Sequence, residues 1–600
     1  MELMIGKYKT VGGLLILVFL AASWSLLRPE FFRPHDYVHG ARVVEMLRAL
    51  QDGQLPARWS ANFGYGYGMP LFSFYAPFAY YLGAFLYWAG LSLLESVRWI
   101  FILSTVMTLA GSYWLGVTVG KNKWAGVITA ALITLAPYRA VNMFVRGALG
   151  ETWGLVWIPW LIAAGLQLLD PEVPKSRKPV LWLLAIGSAV GLFLSHNLTT
   201  LMAIPIIGLI WLLWESLAVV TRQKSNKDVL ATGIPLITAM VLSVAIAAFY
   251  LFPSFLEKGA TQISSILGGY FHHSYHFLYI RQFFQVNWKY GGSIWGPEDD
   301  ISFFLGYPQL VGLGIAGCIA AYSLWKYLWG KQDVDLKVIA QQTGLGLIAG
   351  LCLYLTLLKS MWLWDSLPLI AYIQFPWRWL TLVVVLLSMI IALSVRALSP
   401  YWQKWYVLVL VSLAFLHASF FKPEKYLSAA DAIDSFYYSD PVKIRNVMSE
   451  ILPDYIPHNL YIGAAVDATA SQKPTLLPNE TGGVLYQPDT YASTDYSVLV
   501  DRSHQKLIST RFSQATQLTF AVANFPGWQA ELDGKPVAIQ ETDHGLVAVM
   551  VPAGEHKLGI LLTRTPVRTI SEVLSVVGLV LVIAGAYAGY PRIKESAQRT

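Results

Sequence analysis

The chain has 600 residues, of which 55% are hydrophobic and only 13% charged, where soluble domains carry about 25% charged residues. That deficit excludes an ordinary soluble enzyme. The net charge of +7 is spread over many short segments rather than gathered on one face, which excludes a nucleic-acid binder.

Lys7 and Lys9 precede the first apolar run, residues 11–27. No small-residue cleavage site follows, so this run is expected to be retained as a span rather than removed as a signal peptide. Further apolar runs centre on Val106, Ala130, Leu161, Leu184, Leu209, Val244, Gly314, Ala349, Val385, Leu410 and Val580. Each has about the length needed to cross ~30 Å of hydrocarbon. The two cysteines, Cys318 and Cys352, fall inside such runs, so no disulfide framework is expected.

Residues 70–90, crowded with Tyr, Phe and Trp, decide the parity. The loops 121–123, 175–178, 222–227, 326–337, 396–404 and 592–594 are all basic. They share a side with Lys7 and Lys9 only if 70–90 does not cross. The positive-inside rule therefore makes 70–90 an interface-lying or re-entrant segment on the outer side. The expectation is a mainly α, polytopic helical bundle of about twelve spans with both termini cytoplasmic.

The soluble part comes late. Residues 422–566 are rich in Thr, Ser, Asp and Pro, with β-alternation in Leu518-Thr519-Phe520-Ala521-Val522 and turn signals at Asp533-Gly534 and Pro552-Ala553-Gly554. Three parts are expected: a membrane domain over 1–421, an outer, mostly β domain over 422–566 with a small sandwich at 505–565, and a last span and cytoplasmic tail over 567–600.

The first outer loop carries the most chemistry. Pro34-His35-Asp36 precedes an amphipathic helix expected over 37–52, lying in the membrane interface. Val43, Met46, Leu47 and Leu50 form its apolar face, and Arg42, Glu45, Arg48 and Asp52 its charged one. Asp36 falls at the N-cap, with His39 one turn on. By spacing alone Asp36 is a cap; a carboxylate beside a histidine at a membrane surface also suits a general base.

The stretch from Pro34 to Gly83, PHDYVHGARVVEMLRALQDGQLPARWSANFGYGYGMPLFSFYAPFAYYLG, resembles the first outer loop of bacterial GT-C-type membrane glycosyltransferases. It is most similar to the group labelled 6-pyruvoyl-tetrahydropterin-synthase-related membrane proteins and to YfhO-like proteins. PYRAVNMFVRGALGE, SHNLTTL and QFPWRWL continue the resemblance, and NFPGWQAELDGKPV is similar to the YfhO-like C-terminal module. No pterin-synthase zinc histidines are present. The resemblance implies a transferase that takes a sugar from a polyprenyl-phosphate donor and passes it to a glycan, lipid or protein acceptor on the outer face of a bacterial-type plasma membrane. It places the family's acidic residue at Asp36. A phosphate leaving group needs fixed cations, and Arg139, Arg146, Lys289 and Arg378 are the candidates, with His39 and His196 as further substrate-binding residues. Glu151 is a second candidate acid, with an ion pair to Arg146 as its structural alternative.

No cofactor is expected, and a divalent metal has no support. His272, His273 and His276 have metal-like spacing near Glu298, Asp299 and Asp300, but the aromatic surroundings favour a packed loop over the site. Gly312, Gly314 and Gly317 sit inside a span, where close helix packing explains them. A transporter or flippase, or a silent membrane scaffold, are the competing functions. Spans nearly free of charge, with polar residues gathered at one face, favour chemistry at the outer interface.

Overall fold

The computed structural model describes residues 2–330, 334–437, 439–448, 455–460, 479, 482–486 and 495–597. Of the expected 422–566 domain, residues 438, 449–454, 461–478, 480–481 and 487–494 lie outside the described residues.

The helices, in chain order, are α1 (Glu2–Ser23), α2 (His39–Gln51), α3 (Leu71–Phe74), α4 (Phe78–Trp88), α5 (Leu93–Gly120), α6 (Lys123–Thr134), α7 (Pro137–Ala140), α8 (Leu149–Leu169), α9 (Lys178–Ser195) and α10 (Asn197–Val220). They continue with α11 (Asn226–Leu256), α12 (Tyr307–Trp329), α13 (Leu336–Thr356), α14 (Met361–Ser366), α15 (Pro368–Ala371), α16 (Leu380–Ser394), α17 (Pro400–Phe415), α18 (Ala429–Ser435), α19 (Pro441–Lys443) and α20 (Pro566–Ala597). Among the described residues ten helices are long and apolar enough to cross a membrane, and Lys123–Thr134 with Pro137–Val145 makes a pair bent by 45°, a broken span or a re-entrant loop. The apolar part of α1, Thr10–Ser23, is shorter. The chain is thus an integral membrane protein, with ten or eleven such spans among the described residues where about twelve were expected. α4, with 11 residues, falls short of the ~30 Å core at 1.5 Å per residue.

Two ends of the bundle differ in chemistry. At one end short basic loops are tied together: Lys121 to Asp170 at 3.1 Å, Arg396 to Asp335 at 2.9 Å, and Lys224 to Glu215. The other end carries α2, the segments after α11 and α13, and the β region.

Eight strands precede α20: β1 (Tyr496–Arg502), β2 (Gln505–Phe512), β3 (Thr516–Ala523), β4 (Trp528–Leu532), β5 (Lys535–Val537), β6 (Gln540–Glu541), β7 (Leu546–Val551) and β8 (Gly554–Leu562). They form a five-stranded sheet, β1-β2-β8-β4-β5, and a three-stranded sheet, β3-β7-β6, with every pairing antiparallel. Asp533 and Gly534 both take positive φ and close the β4–β5 hairpin, as the Asp-Gly pair demands. Ile508, Leu518, Phe520, Val547, Leu558 and Ile560 bury the inward positions. The strands do not stand apart from the membrane bundle. Trp59 of the first loop meets Trp528 edge-on at 5.5 Å and Phe525 at 6.0 Å, and Arg568 at the start of α20 pairs with Glu257 at the end of α11.

Helix α2 corrects the amphipathic reading. Its charged face is not solvated: Arg42 and Glu45 are each 1% exposed. Glu45 accepts from Arg48 at 3.0 Å, from Ser60 Oγ at 2.7 Å and from Asn62 Nδ2 at 2.6 Å. The loop after α2 folds back and supplies these donors, so a polar protein wall replaces the expected interface. Nor does Asp36 cap the helix. The N-cap is Val38, without a side-chain cap bond, because residues 35 and 36 are held elsewhere.

Candidate active site

A cavity of about 530 Å³ lies where the first loop, α8, α10, α11 and the segment before α16 converge. Asp36 lines it. Two backbone bonds fix its place: His35 N–H to the Val145 carbonyl at 3.0 Å, and Asp36 N–H to the Arg146 carbonyl at 2.8 Å. The chain can approach so closely because residue 147 is glycine. Its φ is +67°, and a Cβ there would collide with the ring of Pro34. The preceding residues, Val141–Val145, form a π turn, a device that re-aims the side chains after it. Arg146 follows directly and points into the cavity wall.

The Asp36 carboxylate makes no hydrogen bond and no ion pair within 4 Å among the described residues. The second acid, Glu151, has the opposite surroundings. It is 1% exposed and accepts from Tyr138 Oη at 2.6 Å, Asn142 Nδ2 at 3.1 Å, Thr381 Oγ1 at 3.1 Å and Arg146 at 2.7 Å, with Arg378 Nε at 3.6 Å. Oε1 takes three of these hydrogen bonds and Oε2 the one from Arg146, with the Arg378 guanidinium as a second positive charge beside it. The ion pair to Arg146, its structural alternative, is present, and Glu151 lies between two arginines. Arg146 also stacks on Trp377 at 4.5 Å, and Arg378 donates to the Ile373 carbonyl at 2.6 Å and to Gln374 at 3.0 Å.

Of the other expected residues, His196 lines the cavity but its Nδ1 is engaged by Thr199 at 2.7 Å. Burial, reinforced by the nearby Arg378, pushes its pKa down to about 3, so it is a neutral imidazole at pH 7 and not a cation. Three expectations do not reach the cavity. His39 is fully buried beneath it, with Nε2–H donating to the Gly147 carbonyl at 2.5 Å and Nδ1 accepting from Tyr80 at 3.1 Å. Arg139 is buried and spends its donors on the Thr134 carbonyl and Thr105 Oγ1, at 3.1 and 2.7 Å. Lys289 pairs with Asp300 at 2.9 Å on the exposed surface. The histidines of the aromatic loop are likewise engaged: His273 with Asp365 at 3.0 Å, and His276 with Ser293 Oγ at 3.0 Å and the Tyr270 carbonyl at 2.6 Å. They brace the segment that gives the cavity Ile263, Ile266, Tyr270 and Phe271.

Two lining cations were missed in the sequence. Arg42 lies over the Tyr75 ring at 3.9 Å and donates to Tyr80 at 3.0 Å, with no carboxylate within 4 Å among the described residues. Its position on a helix with alternating charges disguised it as a surface residue. Lys258 sits among Phe255 and Tyr372, at 4.9 and 4.6 Å from their rings, without a carboxylate within 4 Å among the described residues. Four permanent cations thus face two carboxylates around the cavity, which leaves it two positive charges in excess. One flank is apolar, built from Leu198, Leu201, Leu251, Phe255 and Leu369.

No protein-family model matches the chain. An uncharacterized protein of Lactococcus lactis subsp. cremoris (strain MG1363) is 24% identical over 319 residues, 52% of this chain and 48% of the relative. The chain thus spans about half the length of the curated relative it matches. Among solved structures, it is similar to the arabinofuranosyltransferase AftD from mycobacteria, with a TM-score of 0.40, 14% identity, and coverage of 70% of this chain and 27% of that one. It is also similar to ArnT from Cupriavidus metallidurans bound to undecaprenyl phosphate, with a TM-score of 0.35, 14% identity, and coverage of 66% and 62%. At these scores the likeness is loose, and the functional reading rests on the site itself.

Proposed function

We propose that this protein is a membrane glycosyltransferase that moves a sugar from a polyprenyl-phosphate donor to an acceptor hydroxyl at the outer face. The observation that carries this reading is the Asp36 carboxylate, unpaired, in a cavity with an excess of cations and one apolar flank. The basic loops at the far end of the bundle support a cytoplasmic placement of that end and of both termini. Nucleotide sugars are not expected outside the membrane, so a donor there is lipid-carried.

In the proposed reaction the donor phosphate rests among Arg146, Arg378 and Lys258, with its chain along the apolar flank. The acceptor oxygen forms a bond to the anomeric carbon as the bond from that carbon to the phosphate oxygen breaks. Asp36 takes the acceptor proton, and the leaving phosphate keeps the electron pair and is stabilised by the fixed cations. Glu151 holds Arg146 and Arg378 in place.

The test is transfer from a panel of polyprenyl-phosphate sugars in proteoliposomes. A glycosylated product formed by the wild type and lost in Asp36→Asn supports the reading. Movement of the lipid-linked sugar across the bilayer without consumption would instead identify a flippase and overturn it.

A further inference from the structure

His39 opens helix α2 and is fully buried, yet it lines no part of the Asp36 cavity. Both of its ring nitrogens are bonded, and where those bonds lead gives the residue a task.

Three polar groups of the first loop and α2 grip three consecutive carbonyls. The His35 N–H takes that of Val145 at 3.0 Å, the Asp36 N–H that of Arg146 at 2.8 Å, and His39 Nε2–H that of Gly147 at 2.5 Å. Arg146 is the middle residue of the three. Asp36, which offers the unpaired carboxylate, and Arg146, which offers a cation, are therefore held in register through their main chains. The first two bonds use backbone groups that any residue but proline supplies. The third depends on one side chain.

The Gly147–Ala148 peptide is held from both sides. The Ala148 N–H donates to the Asn142 carbonyl at 2.8 Å, and the Gly147 carbonyl accepts from His39. Gly147 stands at φ +67° against the Pro34 ring, in the short connection between the π turn and α8, where no regular helix takes up its carbonyl. A buried carbonyl left bare is costly, so loss of the His39 bond favours rotation of this peptide, and with it a shift of the residues on either side.

Chemistry also fixes the direction of each bond behind His39. A carbonyl only accepts, so Nε2 carries the hydrogen. Burial, reinforced by the nearby Arg42, lowers the pKa of His39 to about 4, so the ring is neutral at pH 7 and Nδ1 is bare. Nδ1 accepts from the Tyr80 hydroxyl at 3.1 Å, and Tyr80 Oη accepts from Arg42 Nη1 at 3.0 Å, because a guanidinium only donates. Arg42 lines the cavity. The chain Arg42–Tyr80–His39–Gly147 thus runs from the cavity wall to the peptide beside Arg146 and permits one tautomer.

We propose that His39 is a positioning residue, whose Nε2–H holds the Gly147 peptide so that Asp36 and Arg146 keep a fixed separation. The proposal rests on the transferase reading for the roles of those two residues. Misplacing a reacting group by about 1 Å can cost about 10²-fold in rate.

Glutamine and asparagine separate this role from space filling. The amide nitrogen of Gln reaches the place of Nε2, whereas that of Asn reaches only the place of Nδ1. His39→Gln should keep kcat close to that of the wild type. His39→Asn should lower kcat about 10- to 100-fold. KM for the polyprenyl-phosphate sugar should hardly change, because Glu151 still holds the Arg146 side chain. Hydrogen exchange read by mass spectrometry without substrate gives a second measure. The amides of His35 and Asp36 should exchange faster in His39→Asn than in His39→Gln or the wild type, while those of α8 stay as they were. A wild type that transferred no sugar would sink the transferase reading, and the exchange result would still decide for or against the grip of His39. Wild-type kcat in His39→Asn, equal loss in both variants, a rise in KM that matches the fall in kcat, or unchanged exchange at residues 35 and 36 would overturn the inference.

Discussion

Asp36 and Glu151 border the same cavity and have opposite surroundings. Asp36 is carried on an extended segment tied by two backbone bonds and by the His35 ring on the Tyr290 carbonyl, and among the described residues its carboxylate has no hydrogen bond and no ion pair within 4 Å. Glu151 sits in the first turn of α8 at the centre of a buried network of two arginines, a tyrosine, an asparagine and a threonine. A carboxylate that accepts four hydrogen bonds between two arginines cannot take a proton without weakening what holds it. One without partners loses little structure when it does. The contrast separates a group free to react from a group that maintains the geometry.

The largest expected effect breaks that contrast at Asp36. Asp36→Asn removes the base and keeps the shape, so transfer should fall about 10²–10⁴-fold. Thermal stability should stay within about 0.5 kcal/mol, as for a substitution that disturbs no network. A near wild-type rate in a transfer assay would assign the base elsewhere. At Glu151 the order of effects reverses. Glu151→Gln leaves Arg146 and Arg378 without a counter-charge in a buried setting, and breaking such a pair costs about 3–5 kcal/mol. Thermal denaturation in nanodiscs should show this loss even with no substrate present. If Glu151→Gln were as stable as the wild type but inactive, Glu151 would belong with the reacting groups after all.

A third variant sharpens the role of the cations. Lys258 lines the same cavity but has no carboxylate partner, and its neighbours are the rings of Phe255 and Tyr372. Lys258→Met keeps the apolar stem and removes the charge. Affinity for a polyprenyl phosphate should fall about 10- to 100-fold, the loss of one hydrogen bond to a charged group, with the folded state little affected. Lipid binding measured by native mass spectrometry checks this, and unchanged binding would take Lys258 out of the phosphate site.

The bundle was legible because each span is an uninterrupted apolar run, and the β region because alternation and an Asp-Gly turn are local signals. The site was half legible. Asp36, Arg146, Glu151, His196 and Arg378 line one cavity, whereas His39, Arg139 and Lys289 do not. Position in a loop fixes the side of the membrane but not the direction of a side chain. Helix α2 shows a second limit. Its hydrophobic pattern cannot tell a solvated charged face from one buried against Ser60, Asn62 and Tyr80, because both demand the same residue types. Arg42 was hidden for that reason.

The smallest effect concerns the exposed counterpart of the Glu151 network, the pair His556–Asp533 at 2.7 Å, which ties β8 to the β4–β5 turn. Hydrogen bonding to Asp533 raises the pKa of His556 above its ordinary 6.5, and hydrogen bonding to His556 lowers that of Asp533 below its ordinary 3.8. The histidine's share of stability is therefore full below pH 6.5 and is lost as the pH rises through the raised value. The aspartate's share is present above pH 3.8 and is lost as the pH falls through the lowered value. The pair stabilises the strands only in the window between. His556→Gln should lower the denaturation midpoint slightly near pH ~5, and the difference from wild type should vanish by about pH 9. Solvent screens this pair as it cannot screen Glu151, so the same kind of substitution should be small and pH-gated here and large in the buried network. A midpoint difference that persisted unchanged at alkaline pH would mean that His556 acts through packing rather than charge.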